Sequence, residues 1–267
     1  MSTDRKYALI TGATSGIGYE LAKLFAKDNY NLVIVARGND GGLDRTSNEL
    51  KQQYGINVVA LSKDLFRRES PFEVYDEVKK MGIRIDVLVN DAGMGSYGEF
   101  ISTSIHKDLE IIQLNTASLV VLTKCFLKDM VARGEGKILN LASIASKVPG
   151  PFQAVYHATK AFVLSFSESI RDEVKDKGVT VTALLPGATN TDFFNKADML
   201  DSKIAQDRSK LSDPAKVAKD GYQALMSGDD KVVSGLKNKI QAAMSNVTPD
   251  PIVAANMHKQ QEPVDAK

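Results

Sequence analysis

Tyr156 and Lys160 are the residues of this sequence best suited to acid–base chemistry. A free tyrosine has a pKa of about 10 and is a poor proton donor or acceptor at neutral pH. The i, i+4 spacing of the two residues places them on one face of a helix. A nearby ammonium stabilises a phenolate, so we expect Lys160 to lower the pKa of Tyr156. Such a pair could protonate an alkoxide as it forms from a carbonyl group.

Ser143 is a candidate for stabilising charge on the same oxygen. It follows the apolar segment Ile138–Leu141, which predicts a strand, and ligands bind at the carboxyl edge of α/β sheets. A hydroxyl at that edge can donate a hydrogen bond to a substrate oxygen. Taken singly, each residue has a structural alternative: a helix cap for Ser143, a core position for Tyr156 and a solvated charge for Lys160.

The N-terminal part of the chain contains a glycine-rich segment, Thr11-Gly12-Ala13-Thr14-Ser15-Gly16-Ile17-Gly18, between an apolar segment and a helical pattern. Glycines let the backbone turn tightly and approach a pyrophosphate, and the helix N-terminus supplies free N–H groups. This strand–loop–helix context predicts a nucleotide-binding turn. The alternative is a tight turn between strand and helix that binds no ligand.

These residues must be positioned by a sheet, and seven short apolar segments predict one. Each segment is almost continuously apolar, as expected of strands covered on both faces, and helical patterns lie between them. Right-handed crossovers then place helices on both faces. We therefore predict a single α/β domain over residues 1–267, a Rossmann-type doubly wound parallel sheet of about seven strands. The segments are Tyr7–Ile10, Leu32–Val35, Val58–Leu61, Val87–Val89, Ile138–Leu141, Val179–Leu185 and Lys231–Val233.

Composition excludes several classes of function. The chain has 267 residues with 34 Lys plus Arg and 33 Asp plus Glu. The resulting net charge of +1 gives no reason to expect a nucleic acid partner. The one cysteine, Cys125, cannot form an internal disulfide and is expected to pack within a helix. His106 and His258 have no partners at metal-ligand spacing, so no metal site is expected.

Neither a targeting signal nor a membrane span is predicted. Residues 1–10 lack the apolar region and the cleavage site of a signal peptide. The most apolar stretch, Ser118–Leu127, is interrupted by Thr123 and Lys124 and has about half the length of a membrane span. These features predict a cytoplasmic protein.

Four motifs occur in order along the chain: the glycine turn, Asn90-Asp91-Ala92-Gly93, Ser143 and Tyr156-x3-Lys160. Together they resemble the short-chain dehydrogenase/reductase family in its compact single-domain branch, over about residues 6 to 235. The resemblance implies an oxidoreductase that interconverts a ketone or aldehyde and an alcohol by hydride transfer. The alternative is a regulator that binds NADPH without turnover, although such a protein has no need of Tyr156 with Lys160.

The resemblance also implies a catalytic tetrad of Asn115, Ser143, Tyr156 and Lys160. Tyr156 would be the acid–base, Ser143 would polarise the substrate oxygen, and Lys160 would also bind the nicotinamide ribose. Asn115 matches a residue that kinks a helix and holds a water in a proton relay. The alternative for Asn115 is an ordinary buried polar residue.

The turn after the second strand, Val35-Ala36-Arg37-Gly38-Asn39, favours NADP(H) over NAD(H). NAD sites usually present an Asp or Glu to the ribose hydroxyls at this point, and this turn has neither. Arg37 could form charge-assisted bonds to a 2′-phosphate, and an Arg at this position accompanies NADP preference in the family. Thr14 and Ser15 could add hydroxyl contacts. The alternative for Arg37 is a solvated surface position.

Further cofactor contacts are implied by the resemblance. Asp64-Leu65 matches a pair that contacts adenine, with a helix N-cap as the alternative for Asp64. Asp91 departs from the Asn that the family more often has there, which removes any amide donor. The predicted cofactor-binding residues are Gly12, Thr14, Ser15, Gly16, Ile17, Gly18, Arg37, Asp64, Leu65, Asn90, Ala92, Gly93, Tyr156, Lys160, Pro186, Gly187, Thr189 and Thr191.

Residues 188–212 resemble the family's mobile substrate lid, a kind of segment that orders over the substrate and excludes water. Apolar side chains of this segment and of the opposite rim favour a hydrophobic carbonyl substrate. The alternative is that Phe193 and Phe194 pack inward. The predicted substrate-binding residues are Ser143, Met94, Phe152 and Phe193, with Tyr97, Phe194, Met199 and Leu200 nearby.

The sequence leaves the C-terminal part open. Region Lys237–His258 could cover the substrate mouth, lie on a neighbouring subunit or contact a membrane surface, and residues from about 249 to 267 resemble a tail. His157 is expected to face away from the site, because successive helical residues point about 100° apart. Family members commonly pair helices that here would include Cys125 and Ala158–Val174, so a homodimer or homotetramer is expected.

Overall fold

The apolar segments form a single parallel sheet in the computed structural model, which describes residues 5–38, 41–245 and 247–264. The strands are β1 (Tyr7–Thr11), β2 (Asn31–Ala36), β3 (Val58–Ser62), β4 (Ile85–Asn90), β5 (Gly136–Leu141), β6 (Val179–Leu185) and β7 (Lys231–Val233). They lie in the order β3-β2-β1-β4-β5-β6-β7, and every pairing is parallel. The predicted doubly wound α/β fold is confirmed.

Helices cover both faces of the sheet because successive strand residues point to opposite sides. The helices are α1 (Gly16–Lys27), α2 (Gly42–Tyr54), α3 (Ser70–Lys80), α4 (Ile105–Ile112), α5 (Leu119–Arg133), α6 (Ala154–Val174), α7 (Phe193–Lys196), α8 (Lys203–Gln206), α9 (Pro214–Ser227), α10 (Leu236–Ser245) and α11 (Asp250–Gln261). Ile10 and Ile34 pack in one core cluster with α1, α2 and α9. Leu9 and Val33 pack in the other with α3, α5 and α6.

The strand order reverses at β1, which lies between β2 and β4. Open α/β sheets bind ligands in the crevice at such a point, outside the carboxyl ends of the strands. The glycine turn follows β1, and the segment after Asn90 follows β4. The hydroxyl of Thr11 joins the two loops, because it accepts the backbone N–H groups of Asp91 (3.1 Å) and Ala92 (3.0 Å).

A π-helical turn, Gln113–Ser118, joins α4 to α5. The resulting helical stretch Ile105–Arg133 has 29 residues and a mean hydropathy of 1.3 in its most apolar window, enough by length and composition to cross a membrane. The stretch is therefore longer than the segment Ser118–Leu127 noted in the sequence. In the fold, 44% of that window is buried, with Phe126 and Met130 in the core cluster that includes α3.

Residues 250–261, which the sequence suggested were part of a tail, form α11. Met257 and Gln261 are buried. The Tyr97 hydroxyl donates to the carbonyl oxygen of Gln261, and Glu262 forms an ion pair with Lys203. These contacts give the segment the fixed partners that a free tail lacks. Residues 265–267 of the predicted tail lie outside the described residues.

A buried chain of polar side chains lies beneath the crevice. Asn90 Nδ2 donates to Thr123 Oγ1 (3.0 Å) and to Asn140 Oδ1 (2.8 Å). Asn140 Nδ2 in turn donates to Ser167 Oγ (2.9 Å). The chain connects β4, β5, α5 and α6 close to the ends of the two strands. Since an unpaired polar group is costly in a low-dielectric interior, these bonds fix where the strands end.

We expect Asn140→Ala to lower the free energy of unfolding by about 1–3 kcal/mol, because it leaves an amide donor of Asn90 unpaired in the interior. Thr180→Val is the matched control, since Thr180 Oγ1 is buried and has no hydrogen-bond partner in the part of the chain that the structure describes. Removal of the Thr180 hydroxyl is expected to lower the free energy of unfolding by less than about 0.5 kcal/mol, or to raise it. Urea unfolding measures both, and equal losses would contradict a stabilising role for the polar chain.

Candidate active site

A cavity of about 360 Å³ opens at the carboxyl edge of the sheet. It is lined by most of the residues that the sequence predicted to bind cofactor or substrate or to act in catalysis. Four of the predicted residues do not line it: Gly18, Asn90, Asn115 and Phe152. Those that do are Gly12, Thr14, Ser15, Gly16, Ile17, Arg37, Asp64, Leu65, Ala92, Gly93, Met94, Ser143, Tyr156, Lys160, Pro186, Gly187, Thr189, Thr191 and Phe193.

Gly18 and Asn90 lie behind the cavity wall. A Cβ on Gly18 would overlap Asp91 Oδ2 and would lie 2.6 Å from the carbonyl oxygen of Gly12, so the glycine permits the turn to close. The Asn90 side chain does not reach the cofactor cavity as the sequence suggested, because its amide is committed to Thr123 and Asn140. Its position at the end of β4 supports the loop that follows.

Phe152 also departs from its predicted place on the substrate wall. Its ring packs against Tyr97 and His258, with ring centroids 5.8 Å and 4.8 Å away. Since His258 belongs to α11, Phe152 joins the rim of the cavity to the C-terminal helix. The sequence could not show this contact, because the two residues are far apart along the chain.

Asn115 lies in the π-helical turn, which is where the family resemblance placed a helix kink. Its Oδ1 accepts the Met94 N–H (3.0 Å), and its Nδ2 donates to the Met94 carbonyl (2.9 Å) and to Thr159 Oγ1 (3.0 Å). A Cβ on Gly93 would lie 3.4 Å from Asn115 Oδ1 and 3.5 Å from Lys160 Nζ. Asn115 therefore holds the loop beside Lys160, and its role in a water relay stays a prediction.

Tyr156 and Lys160 both face the cavity from the first turns of α6. Lys160 is only 5% exposed; its Nζ donates to the Leu141 carbonyl (2.7 Å) and lies 5.8 Å from the Tyr156 ring centroid. Burial lowers the pKa of Lys160 to about 8 despite the opposing charge of Asp91. Burial raises the pKa of Tyr156 to about 12, and the Ser143 hydroxyl offsets this only in part.

The expected lowering of the Tyr156 pKa is therefore not found in the protein alone. The physical reason is that the Lys160 ammonium is directed to the Leu141 carbonyl, whereas the phenol is buried and loses hydration of its charged form. Tyr156 is consequently a neutral acid throughout the physiological pH range.

Ser143 fills the helix-cap position that was its structural alternative, and its role toward a substrate oxygen stays a prediction. Its Oγ accepts the Ala145 N–H (3.1 Å) and so caps a short helical turn, Ile144–Lys147. The same hydroxyl donates to the Pro186 carbonyl (3.3 Å). That bond is long, so the hydroxyl can turn to a substrate oxygen at small cost.

Arg37 lines the far end of the cavity, and its guanidinium lies 5.4 Å from the Phe66 ring centroid. Within the described part of the chain it forms no ion pair with a carboxylate. Asp64 Oδ1 accepts the Phe66 N–H (3.2 Å), which fixes the loop that carries the ring. Asn39, the last residue of the predicted cofactor-selecting turn, lies outside the described residues.

The segment 188–212 forms the opposite wall. The Phe193 ring packs against the Tyr156 ring at 5.1 Å between centroids, while Phe194, Ala197 and Met199 form a buried cluster. Both phenylalanines thus pack inward, and Phe193 does so on the cavity surface. The C-terminal region adds Gln241, Met257 and Gln261 to the lining. Region Lys237–His258 thus contributes Gln241 and Met257 to the cavity wall, and Gln261 lies just beyond it in the chain.

His157 was expected to face away from the site, but its ring lines the cavity. Its Nδ1 lies 2.9 Å from the Val148 carbonyl and its Nε2 lies 3.3 Å from Gln261 Nε2. A carbonyl can only accept, so Nδ1 carries the proton and Nε2 accepts from Gln261. Burial lowers the pKa of His157, which keeps the ring neutral. The sequence gave no signal for this contact because Gln261 is 104 residues away.

A family model described as short chain dehydrogenase matches residues 6–200 of the chain. The very-long-chain 3-oxoacyl-CoA reductase of Bos taurus is 35% identical over 190 residues, which cover 68% of this chain and 58% of the relative. The chain therefore spans less than two thirds of the length of that relative. The ketoacyl reductase HetN of Nostoc sp. is 29% identical over 246 residues, covering 91% of this chain and 79% of the relative.

Among solved structures, a short-chain dehydrogenase from Sphingobium yanoikuyae in complex with NADPH superposes with a TM-score of 0.80. It is 29% identical in sequence, and the match covers 91% of this chain and 96% of that one.

We expect Gln261→Ala to raise the rate of amide hydrogen exchange within α11 by about 5- to 30-fold. The variant removes the buried bond to His157, and a loss of about 1–2 kcal/mol makes local opening of the helix more frequent. Gln260→Ala is the matched control, because Gln260 is the exposed neighbour in the same helix. Equal exchange in the two variants would show that the His157 contact does not hold the helix in place.

Proposed function

The chain belongs to the short-chain dehydrogenase family, and on that premise we propose that it is an NADP(H)-dependent oxidoreductase that interconverts a carbonyl compound and an alcohol. The observation that carries the proposal is the convergence of Ser143, Tyr156 and Lys160 on one cavity that begins at the glycine turn. When bound, NADPH supplies a hydride for the carbonyl carbon. The chain's own residues hold the substrate oxygen and move the proton.

Tyr156 is the proton donor in the direction of reduction. Its pKa of about 12 keeps the hydroxyl protonated at neutral pH, and an alkoxide is a strong enough base to take that proton. Ser143 donates a hydrogen bond to the same oxygen as negative charge develops on it. Lys160 is positively charged below its pKa of about 8, and its Nζ lies 5.8 Å from the Tyr156 ring centroid, on the Leu141 carbonyl. Its attraction for the phenolate that remains on Tyr156 does not outweigh the burial of that group.

The residues of the cavity fit a dinucleotide with a 2′-phosphate. The glycine turn presents the N-terminus of α1, whose free N–H groups suit a pyrophosphate. The turn is closed too tightly for a side chain at Gly18, where a Cβ would overlap Asp91. Arg37, Thr14 and Ser15 line the cavity together, and charge-assisted bonds from Arg37 suit a phosphate. NADP(H) is therefore favoured over NAD(H).

The substrate proposed is a hydrophobic carbonyl compound. Phe193 packs on Tyr156, and Met94, Met199, Ile204 and Met257 also line the cavity. These apolar side chains fit an acyl or other apolar chain better than a charged keto acid. The names of the relatives, 3-oxoacyl-CoA reductase and ketoacyl reductase, describe enzymes that act on acyl ketones. An acyl ketone is the first substrate class to test.

We also propose that this chain folds as a single domain and acts in the cytoplasm. Its proposed oligomeric state is a homodimer or homotetramer. Large apolar side chains are exposed on α4 and α6, and a second copy of the chain would remove them from water. The helical stretch Ile105–Arg133 packs its buried side on the sheet, which supports a role in the core. The exposed side chains are Ile105, Leu109, Ile112 and Phe162.

Tyr156→Phe is expected to lower turnover of an apolar ketone with NADPH by about a hundredfold or more, because a positioned acid contributes roughly 10²- to 10⁴-fold. Tyr75→Phe is the control, since Tyr75 bonds Asp129 between α3 and α5 and does not line the cavity. Loss of NADPH absorbance measures the rate over a panel of ketones. Tight NADPH binding without turnover on any of them would favour the regulatory alternative.

Arg37→Ala is expected to raise the Kd for NADPH by about 10- to 100-fold, since a charge-assisted contact contributes about 1.5–3 kcal/mol. The Kd for NADH should change by less than about threefold, because NADH lacks the phosphate that Arg37 would bind. Titration of nucleotide fluorescence measures both values. Equal weakening for the two nucleotides would contradict the role assigned to Arg37.

A further inference from the structure

Asp91 is the one residue of the family motifs that carries an unexpected charge into the nucleotide cavity. It follows β4 directly, and its carboxylate is turned into the glycine turn. Oδ2 lies 3.0 Å from the position of a Cβ on Gly12 and would overlap a Cβ on Gly18. The Gly18 N–H donates to the carboxylate, whereas Oδ1 is buried and has no hydrogen-bond partner among the described residues.

The surroundings of this carboxylate favour its neutral form. The glycine turn offers it backbone groups alone, and the Gly12 carbonyl oxygen lies in the same corner as Oδ2. Lys160, on α6, is the charged group within the described residues that acts on it. Burial outweighs the attraction to Lys160 and raises the pKa of Asp91 to about 7. Burial therefore favours the neutral form of this carboxyl group before any ligand is bound.

An anionic ligand in the glycine turn shifts the protonation equilibrium of Asp91 further toward the neutral carboxyl group. Nucleotide phosphates bring further negative charge to the helix N-terminus that Asp91 faces. Two like charges in a partly dehydrated site repel, and a titratable group responds by taking up a proton. An Asn at this position could not respond in this way, because it does not titrate.

We propose that Asp91 couples nucleotide binding to proton uptake: its carboxylate takes one proton from solvent when the phosphates of a dinucleotide occupy the glycine turn. The inference rests on the proposed function, since it requires that NADP(H) binds in this cavity. Protonation makes the Asp91 carboxyl group neutral. The positive charge of Lys160 then remains without a negative partner at Asp91.

The sign of the pH dependence follows from this coupling. Below the pKa of Asp91, the carboxyl is already neutral and nucleotide binding needs no proton. Above that pKa, each bound nucleotide must bring a proton with it, so the Kd rises by up to tenfold per pH unit. Lys160 titrates in the same range, with a pKa of about 8, so the two groups must be separated experimentally.

The experiment measures protons rather than activity. Isothermal titration with NADPH at about pH 7.5, in buffers of different ionisation enthalpy, gives the number of protons taken up per nucleotide. The Lys160→Arg variant keeps the positive charge and does not titrate, so we expect it to take up about half a proton or more. In the double variant Lys160→Arg with Asp91→Asn, uptake should fall to near zero. NADH is run in parallel, because it lacks the titratable 2′-phosphate.

An infrared measurement tests the same step without any change at Lys160. The difference spectrum between NADPH-bound and free protein should gain a carbonyl band of a protonated carboxyl group. Asp91→Asn, which keeps the shape of the side chain, should remove that band. Thermal unfolding of each variant confirms that it is folded.

Equal proton uptake with and without Asp91, or a carboxyl band that persists in Asp91→Asn, would overturn this inference while leaving the proposed function intact. Failure of the unmodified protein to bind either nucleotide would overturn both. If proton uptake and the infrared carboxyl band are both lost when Asp91 is replaced by Asn, the coupling is established.

Discussion

The buried ammonium of Lys160 is the charge on which the arrangement of the site depends. An ammonium that is 5% exposed has lost most of its hydration, and the interior must replace it. The Leu141 carbonyl at the end of β5 accepts a hydrogen bond from the ammonium, and the opposite charge of Asp91, directly after β4, attracts it. Lys160 can reach both partners only if β4 and β5 end side by side at the same edge of the sheet. Their parallel pairing, with Asn90 opposite Asn140, provides this.

The strand ends are themselves held by polar groups that never reach the cavity. Asn90 and Asn140 are paired across adjacent strands, and Ser167 continues the chain into α6. Asn115 does the same for the loop after β4, since it binds both backbone groups of Met94. Burial makes each of these bonds costly to break. In the structure, these amides therefore hold the strand ends and the loop after β4 in place.

The other side of the cavity is closed by parts of the chain that lie outside the sheet. Phe193 packs on Tyr156, and α11 is joined to α6 through the bond between His157 and Gln261. A neutral histidine suits this place because a second positive charge beside Lys160 would lower the lysine pKa further. Apolar side chains on this wall lower the local dielectric constant, which strengthens charge interactions beside Tyr156.

The sequence by itself determined the features that depend on local spacing. Continuous apolar segments determined the seven strands, the glycines determined the turn after β1, and the i, i+4 spacing placed Tyr156 and Lys160 on one face. Tertiary structure alone decided that Asn90 faces the core, that Phe152 and His157 meet α11, and that burial raises the pKa of Tyr156. Periodicity and turn chemistry are properties of neighbouring residues, whereas desolvation and side-chain partners arise only when segments distant along the chain, such as His157 and Gln261, are brought into contact.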